Sequence, residues 1–153
     1  MNEPTKNISV ETLQNYSDTD AAMLGALLAH LSTRFDGSPA SEELITAIAR
    51  SSSHDMFVAR LQDETIIGIA TLSTKLGISS GRAACLEDFV VSPDYRGQGV
   101  ADLLWNQLLD WCKERGITHL VFTSNPKKAA AHRFYLKHGA EIRNTSAFVK
   151  VIE

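Results

Sequence analysis

The residues with the clearest capacity for chemistry lie in one short stretch, residues 92–101, which reads Ser-Pro-Asp-Tyr-Arg-Gly-Gln-Gly-Val-Ala. The stretch stands between an apolar run and an amphipathic run, so we expect a strand before it and a helix after it. Gly97 and Gly99 let the backbone turn tightly and approach another group closely. The first N–H groups of the helix would lack acceptors within it, and the helix dipole favours negative charge there. The stretch therefore predicts a site for a pyrophosphate.

Other glycine-rich phosphate motifs do not match this stretch. A Walker loop would end in Gly-Lys-Ser or Gly-Lys-Thr, which is absent, and a Gly-x-Gly-x-x-Gly dinucleotide motif would need glycine where Asp102 stands. The remaining alternative is a strand–turn–helix connection in which the glycines serve geometry alone, because short glycine patterns are weak signals by themselves.

A wider stretch carries a specific resemblance. Residues 86–101 read Leu-Glu-Asp-Phe-Val-Val-Ser-Pro-Asp-Tyr-Arg-Gly-Gln-Gly-Val-Ala. They resemble the central motif of the GNAT acetyltransferase superfamily, in which Arg/Gln-x-x-Gly-x-Gly/Ala follows a strand. Arg96, Gly99 and Ala101 match that pattern position by position.

A second element of the same family follows at the expected distance. It consists of Asn125, the run Ala-His-Arg-Phe-Tyr at residues 131–135, and Gly139. Ala140 departs from the family, which more often has an aromatic residue at that position. The resemblance covers residues 56–143 and is weaker before them, where the family itself varies most.

The resemblance implies acetyl-coenzyme A as the co-substrate. In the family the central sheet splits after the strand that carries the loop, and the pantetheine arm pairs with backbone that corresponds here to Val90 and Val91. The amides of residues 98–101 would hold the pyrophosphate. Asn125 would contact the pantetheine, or it would be the N-cap of a helix that has Pro126 in its first turn. No metal is expected, because the histidines are scattered along the chain. The residues predicted to bind the cofactor are Phe89, Val90, Val91, Arg96, Gly97, Gln98, Gly99, Val100, Ala101, Asn125, Ala131, Arg133 and Phe134.

Acetyl transfer from a thioester to an amine needs a base for the amine, a donor to the oxyanion and an acid for the thiolate. Glu87 is the first candidate base, because apolar neighbours can raise the pKa of a carboxyl. Asp88 is the second candidate. Strand alternation places the two side chains on opposite faces unless a bulge intervenes. Either carboxylate would alternatively form a structural ion pair or hydrogen bond.

Tyr135 is the candidate acid for the coenzyme A thiolate, a role that the family often gives to a tyrosine at this place. A core aromatic is the alternative, since Tyr135 shares a helical stripe with Ala131 and Phe134. By the same resemblance, the backbone N–H of Val91 is the oxyanion donor. The amine would attack directly in a ternary complex, without a covalent enzyme intermediate.

The acceptor is less well defined. Residues 86–97 resemble polyamine and diamine acetyltransferases, whose loop-bearing strand also carries Glu-Asp-Phe, although glucosamine-phosphate acetyltransferases share a similar Glu-Asp pair. In the family the loop between the first two helices walls the acceptor site. The residues predicted to bind the acceptor are Phe35, Asp36, Glu87 and Asp88, and Asp36 would also suit a turn before Gly37.

The predicted acceptor is a small primary amine, with a polyamine as the specific hypothesis. Two alternatives stay open on the sequence. One is an acetyltransferase that acts on a protein N-terminus or lysine, and the other is a non-catalytic coenzyme A-binding regulatory domain on the same fold. The protein-modifying alternative would require an open acceptor groove.

These side chains require a mixed scaffold. The hydrophobic pattern predicts the order strand, two helices, three strands, helix, strand, helix and two strands, with Ser41 as a helix cap. The resemblance implies an α/β GNAT fold with a mixed sheet of about six to seven strands, one splayed pair among them, and about four flanking helices. We expect one domain over residues 1–153, with residues 1–7 as a loose terminus.

The composition limits the partners. Fifteen Lys plus Arg against eighteen Asp plus Glu give a net charge of −3, which argues against a nucleic-acid-binding protein. Two cysteines in no close pair argue against a disulfide scaffold. The sequence has neither a signal-peptide pattern nor a membrane-spanning run. We therefore expect a cytoplasmic protein without a membrane partner, and the resemblance makes a homodimer plausible.

Overall fold

The computed structural model describes residues 7–153, which fall into two compact units divided between Phe122 and Thr123. The first unit holds a five-stranded sheet and three α-helices, and the second holds one α-helix. The expected loose terminus falls on residues 1–6, outside the described residues, and on residue 7. A single domain over residues 1–153 stays a prediction.

The strands lie in the sheet in the order of the chain, β1-β2-β3-β4-β5. Neighbouring strands are antiparallel except β4 and β5, which are parallel, so the mixed α/β class is confirmed. Among residues 7–153, none of the helices combines the length and the apolar character that crossing a bilayer requires. The elements are β1 Ser9–Thr12, α1 Asp18–Leu31, α2 Glu42–Arg50, β2 His54–Arg60, β3 Ile66–Gly77, β4 Gly81–Val91, α3 Val100–Glu114, β5 His119–Val121 and α4 Ala129–Lys137.

Serine caps begin the first two helices. The Ser17 hydroxyl accepts a hydrogen bond from the N–H of Asp20 at 3.1 Å, and the Ser41 hydroxyl accepts one from the N–H of Leu44 at 3.2 Å. Each cap satisfies a backbone donor that has no partner inside its helix. The prediction for Ser41 is confirmed.

A glycine inside α1 lets the loop between α1 and α2 lie against the helix. A Cβ on Gly25 would stand 1.9 Å from the carbonyl oxygen of Ser38, a distance that no side chain could occupy. The N–H of Ala40 donates to the carbonyl of Ala21 on the same helix at 2.9 Å. The loop is therefore held close to α1 by backbone contacts that depend on Gly25.

Opposite faces of the sheet pack on different helices. Ile69 of β3 is buried in one cluster with Leu24 of α1 and Ile45 of α2. A Cβ on the preceding residue, Gly68, would stand 3.0 Å from the side chain of Leu104 on α3. Because successive strand residues point to opposite faces, α1 and α2 cover one face of the sheet and α3 covers the other.

A buried arginine fastens the start of α1 to the sheet. Arg60, at the end of β2, is 7% exposed, and its two terminal nitrogens donate to the two carboxylate oxygens of Asp20 at 2.9 Å each. Its Nε donates to Glu11 of β1. The hydrogen bonds from Arg60 lower the pKa of the Asp20 carboxyl, as expected for a charge-assisted bidentate pair.

The end of the chain differs from the predicted pattern. Residues 140–153 form no strand, so the described residues contain five strands rather than six to seven. The β-like side chains of this segment are exposed, with Phe148 at 94% and Val149 at 92%. High β propensity alone does not make a strand, because a strand also needs a neighbour that bonds its backbone.

Candidate active site

The sheet opens between β4 and β5. β5 pairs with β4 at residues 83–85, and in the described chain no residue of β5 pairs with residues 86–91. At its other edge, β4 stays paired with β3 as far as Val91. The splayed pair that the resemblance implied is thus present, and its opening lies beside the last residues of β4.

The backbone N–H of Val91 is directed into this opening. The N–H of the next residue, Ser92, donates to the carbonyl of Ile67 on the β3 side at 2.8 Å. In an antiparallel pair, the N–H groups of successive residues point to alternate edges of the strand. Val91 lies opposite Gly68 in this register, so its N–H points away from β3. The residue predicted as the oxyanion donor therefore directs its N–H to the open edge.

Two glycines in the left-handed region shape the loop before α3. Gly97 has φ 74° and Gly99, the N-cap of α3, has φ 84°. A Cβ on either would meet nothing within 4 Å, so the backbone conformation rather than crowding requires glycine. The first bond of the helix runs from the N–H of Leu103 to the carbonyl of Gly99 at 3.1 Å. The N–H groups of Val100 and Ala101 come before this first hydrogen bond and therefore have no acceptor within the helix. An anion site at a helix start requires such N–H groups.

Side chains of the loop tie it back to the strand. Arg96 donates from Nε to the carbonyl of Val91 at 3.1 Å, and Gln98 donates from Nε2 to the carbonyl of Asp94 at 3.1 Å. Arg96 and Gln98 are both exposed. These bonds position the loop, and contact of either side chain with a cofactor stays a prediction.

A β-bulge brings Glu87 and Asp88 to the same face of the sheet. The register of β3 and β4 shifts so that both residues oppose the single residue Thr71. Thr71 lies two residues from Ile69 and so faces α1 and α2. Regular alternation would have separated the two carboxylates, and the extra residue of the bulge removes that separation.

The two carboxylates differ in burial. Glu87 is exposed, whereas Asp88 is partly buried, and the loss of solvent raises the pKa of its carboxyl. The neighbouring Thr71 hydroxyl offsets part of this rise. Thr71 is only 2% exposed, and its hydroxyl has no hydrogen-bond partner at standard distance among residues 7–153. The desolvated carboxylate of this region is therefore Asp88, and the role of base for Glu87 stays a prediction.

A cavity of about 370 Å³ opens beside Asp88. It lies between α1, α2 and the sheet, within the first unit. Most of its walls are apolar, contributed by Leu24, Leu28, Ile45, Ile48, Met56 and Ile69. A carboxylate at the edge of an apolar chamber is the arrangement that a site for a small organic cation needs.

The loop between α1 and α2 forms part of this cavity. Phe35 and Asp36 line it together with Asp88, so the structure brings three of the four predicted acceptor residues to one place. Asp36 accepts hydrogen bonds from the N–H of Ser38, at 2.9 Å, and from its hydroxyl, which lower the pKa of the carboxyl. The Arg34 guanidinium lies 5.7 Å from the centre of the Phe35 ring. Asp36 thus stabilises the turn, the alternative role that the sequence offered.

The second unit carries Tyr135 on α4. Burial raises the pKa of the Tyr135 hydroxyl, and its ring meets the ring of Phe134 edge-on at 5.9 Å between centroids. Ala131 and Phe134 are partly buried on the same helix, while Arg133 is exposed.

Asn125 shapes the turn that leads into α4. Its side-chain oxygen accepts a hydrogen bond from the N–H of Lys127 at 2.9 Å, and α4 begins at Ala129. Asn125 therefore does not cap this helix, because the cap position belongs to Lys128. The predicted contact of Asn125 with a pantetheine arm stays a prediction.

Comparison with known families decides the assignment. Residues 25–140 match the acetyltransferase (GNAT) family. The chain belongs to this family. The match spans the cavity, the bulge, the loop and α4, and it confirms both the GNAT fold and the resemblance to acetyltransferases.

One named relative matches a short stretch of this GNAT protein. Streptothricin acetyltransferase A of Bacillus subtilis (strain 168) is 34% identical over 55 residues, which make up 36% of this chain and 32% of that protein. The chain therefore matches about a third of that relative's length.

Two solved structures share the GNAT fold of this chain at low identity. An aminoglycoside acetyltransferase from an uncultured soil metagenomic sample, in complex with sisomicin, has a TM-score of 0.82 and 17% identity, covering 97% of this chain and 98% of that chain. The ribosomal-protein-alanine N-acetyltransferase of Brucella melitensis biovar Abortus 2308 has a TM-score of 0.69 and 19% identity, with 94% and 99% covered. At these identities the likeness shows the fold alone.

Sequence reasoning missed two residues of this GNAT site. Gly25 carried a weak signal, since glycine inside a helical pattern usually has a packing reason. Thr71 carried none, because its importance comes from the bulge across from it. Within residues 7–153, no group of three or more His, Cys, Asp or Glu side chains is arranged to hold a metal ion.

Proposed function

We propose that this protein transfers the acetyl group of acetyl-coenzyme A to the primary amine of a small molecule. The observation that carries the proposal lies in one strand, β4. Its open edge at Val91 and its bulge, with Glu87 and Asp88 facing the cavity side of the sheet, are only a few residues apart. Membership of the GNAT family, whose members use acetyl-coenzyme A, supports the choice of acetyl donor.

The residues present suit acetyl-coenzyme A. Beyond residue 85, the open edge of β4 offers backbone groups to the amides of a pantetheine arm. The amino end of α3 offers N–H groups and a partial positive charge to the pyrophosphate. We assign cofactor binding to residues 89–91 and 96–101, and the assignments at residues 125–134 remain implications of the resemblance. The thioester, when bound, supplies the activated acetyl group.

The proposed reaction uses the chain's own groups in defined roles. The amine nitrogen forms a bond to the thioester carbonyl carbon, and the carbon–sulfur bond breaks. Asp88 holds the ammonium form of the acceptor, and Glu87, which is open to solvent, takes its proton directly or through water. The N–H of Val91 stabilises the oxyanion. These roles separate amine binding from proton removal, and each carboxylate performs one of them.

The departing thiolate gains a proton from Tyr135 in this proposal. A proton donor must hold its proton at the working pH, and burial, which raises the pKa of the Tyr135 hydroxyl, keeps it protonated at neutral pH. From its ammonium form the acceptor nitrogen loses two protons, the first to Glu87 before the attack and the second as the amide forms. The second is offset by the proton that the thiolate gains through Tyr135, and the first passes from Glu87 to solvent, so the reaction releases one proton overall.

A small-molecule acceptor is favoured by the form of the cavity. Its volume of about 370 Å³ lies at the lower end of the range for small-molecule sites. A polyamine is the specific hypothesis that the Glu-Asp-Phe resemblance supplies. Aminoglycosides are a further class to include, because the neighbour in complex with sisomicin is an aminoglycoside acetyltransferase.

The experiment that tests the proposal has two stages. Thermal unfolding is first measured with acetyl-coenzyme A, coenzyme A and ATP added separately. A ligand at about 100 times its dissociation constant stabilises the native state by roughly 2.7 kcal/mol, a readily measured shift. We expect a shift with both coenzyme A species and none with ATP, followed by amine-dependent release of coenzyme A thiol. No shift with coenzyme A, or no release with any amine, would refute the proposed function.

A further inference from the structure

The cavity beside Asp88 has few polar groups that a ligand could use. Asp36 is already bonded to the backbone and hydroxyl of Ser38. The Ser41 hydroxyl is bonded to the N–H that it caps. Both bonds from Ser38 reach one oxygen of Asp36, so its carboxylate keeps its second oxygen and its negative charge. Among the described residues that line the cavity, Asp88 is the carboxylate that takes part in no turn.

A buried hydroxyl lies beneath Asp88. Thr71 is 2% exposed, and its oxygen lacks a hydrogen-bond partner at standard distance in the described part of the chain. A buried polar group without a partner is costly, so such groups commonly meet a ligand or water. Thr71 neighbours Asp88 but does not line the cavity, so Asp88 is the group that presents this polar point to the chamber, where it suits one ammonium group.

The rest of the chamber opposes a second positive charge. The side chains around it are apolar, and a desolvated ammonium group without an anion is strongly unfavourable. Among the described residues of the lining, Arg34 is positive and Asp36 and Asp88 are negative, so one positive and two negative charges leave a formal charge of −1, which matches one ammonium group. Apolar contact also extends to the mouth of the cavity, where Leu44 is 62% exposed and Phe35 is 38% exposed.

From these contacts we infer that the acceptor is a primary monoamine carried on an apolar aryl or alkyl body, with its nitrogen at Asp88 and its body against α1 and α2. The inference deepens the proposed acetyl transfer and rests on it. It selects against polyamines and aminoglycosides, whose several positive charges exceed the formal charge of −1 on the lining.

A homologous series of amines tests the inference. At saturating acetyl-coenzyme A, kcat/KM is measured from coenzyme A thiol release for propylamine, butylamine, pentylamine, hexylamine, 2-phenylethylamine, spermidine and sisomicin. Each added methylene that enters an apolar site should raise kcat/KM about fourfold. We expect hexylamine and 2-phenylethylamine to exceed spermidine and sisomicin. A flat alkyl series would overturn the inference.

A charge placed in the wall gives a second readout. Leu44→Glu adds a carboxylate at the mouth of the cavity and should lower kcat/KM for hexylamine while raising it for spermidine. Leu76→Glu is the matched control, because Leu76 is similarly exposed, at 69%, and does not line this cavity. The control should leave both values unchanged.

The outcomes separate this inference from the proposed function. Transfer to spermidine or sisomicin in preference to every apolar amine would overturn the inference alone. A thermal shift with acetyl-coenzyme A but transfer to no amine would overturn the proposed function together with the inference. Equal effects of Leu44→Glu and Leu76→Glu would show that the cavity wall does not select the acceptor.

Discussion

Replacing Gly99 with alanine separates the structural role of this glycine from its role in binding. Gly99 begins α3 with φ 84°, and Gly116, just past the other end of the same helix, has φ 65°. A Cβ on either glycine would meet nothing within 4 Å. The two substitutions therefore impose the same kind of backbone strain on one helix, and only one of them falls in the candidate pyrophosphate loop.

The expected stability change is similar for both variants. A residue with a Cβ in the left-handed region costs about 1–2 kcal/mol. The smaller freedom of alanine in the unfolded chain returns about 0.4–1 kcal/mol. The net loss is thus about 1 kcal/mol for each variant, which corresponds to a fall in Tm of about 2–4 °C for a chain of this length.

Binding should distinguish the variants. In Gly99→Ala, the backbone at the start of α3 would relax away from the left-handed region and turn the first amides of the helix out of place. We expect this substitution to weaken coenzyme A binding about tenfold, or 1.4 kcal/mol, and Gly116→Ala to leave it unchanged. Isothermal calorimetry with coenzyme A measures this directly. Equal dissociation constants for the two variants would refute the assignment of the loop, and an unchanged Tm for both would refute the strain argument.

Four further substitutions test the site. Asp88→Asn should reduce amine transfer, and its Tm relative to wild type should rise as the pH increases above about 4, where the carboxyl ionises in the unfolded chain. The sign follows because Asp88 has a raised pKa in the folded state, so wild type loses stability as its carboxyl ionises; a constant difference across this range would contradict the argument. Glu87→Gln should lower kcat and steepen its pH dependence, and an unchanged pH–rate profile would remove Glu87 from the mechanism. Gly25→Ala would place a Cβ 1.9 Å from the Ser38 carbonyl oxygen, so it should lower Tm and raise KM for the amine more than for acetyl-coenzyme A. Stopped-flow or steady-state kinetics with each substrate varied in turn measures the two effects on KM. Tyr135→Phe should slow transfer while coenzyme A still binds, and full activity would exclude it as the acid.

Local signals in the sequence were sufficient for much of the fold. A serine before two glutamates predicts the helix cap at Ser41, because the serine satisfies a backbone donor and the glutamates suit the helix dipole. Gly97 and Gly99 are predictable as loop residues, because glycine allows the observed positive φ. Such features depend on a few neighbouring residues, which is why sequence alone predicts them.

Features that depend on a partner strand were less accessible. The bulge at Glu87 and Asp88 arises from a shift of register against Thr71, a residue far away in the sequence. No local pattern reports this shift, so neither the shared face of the two carboxylates nor the desolvation of Asp88 was predictable. The two expected strands after α4 failed for a related reason, since residues 140–153 have suitable side chains but no pairing strand.

The bulge in β4 also has a consequence for which changes in chain length the site tolerates. Leu86 lies opposite Leu72 and Phe89 lies opposite Ala70, so three steps along β4 span two steps along β3. Deleting either Glu87 or Asp88 would therefore leave a regular ladder in which both flanking pairs, and the N–H of Val91 at the open edge, keep their places. The deletion would remove one of the two carboxylates from the cavity side of the sheet. A deletion at the bulge should thus impair the handling of the amine while the open edge of β4 keeps its form.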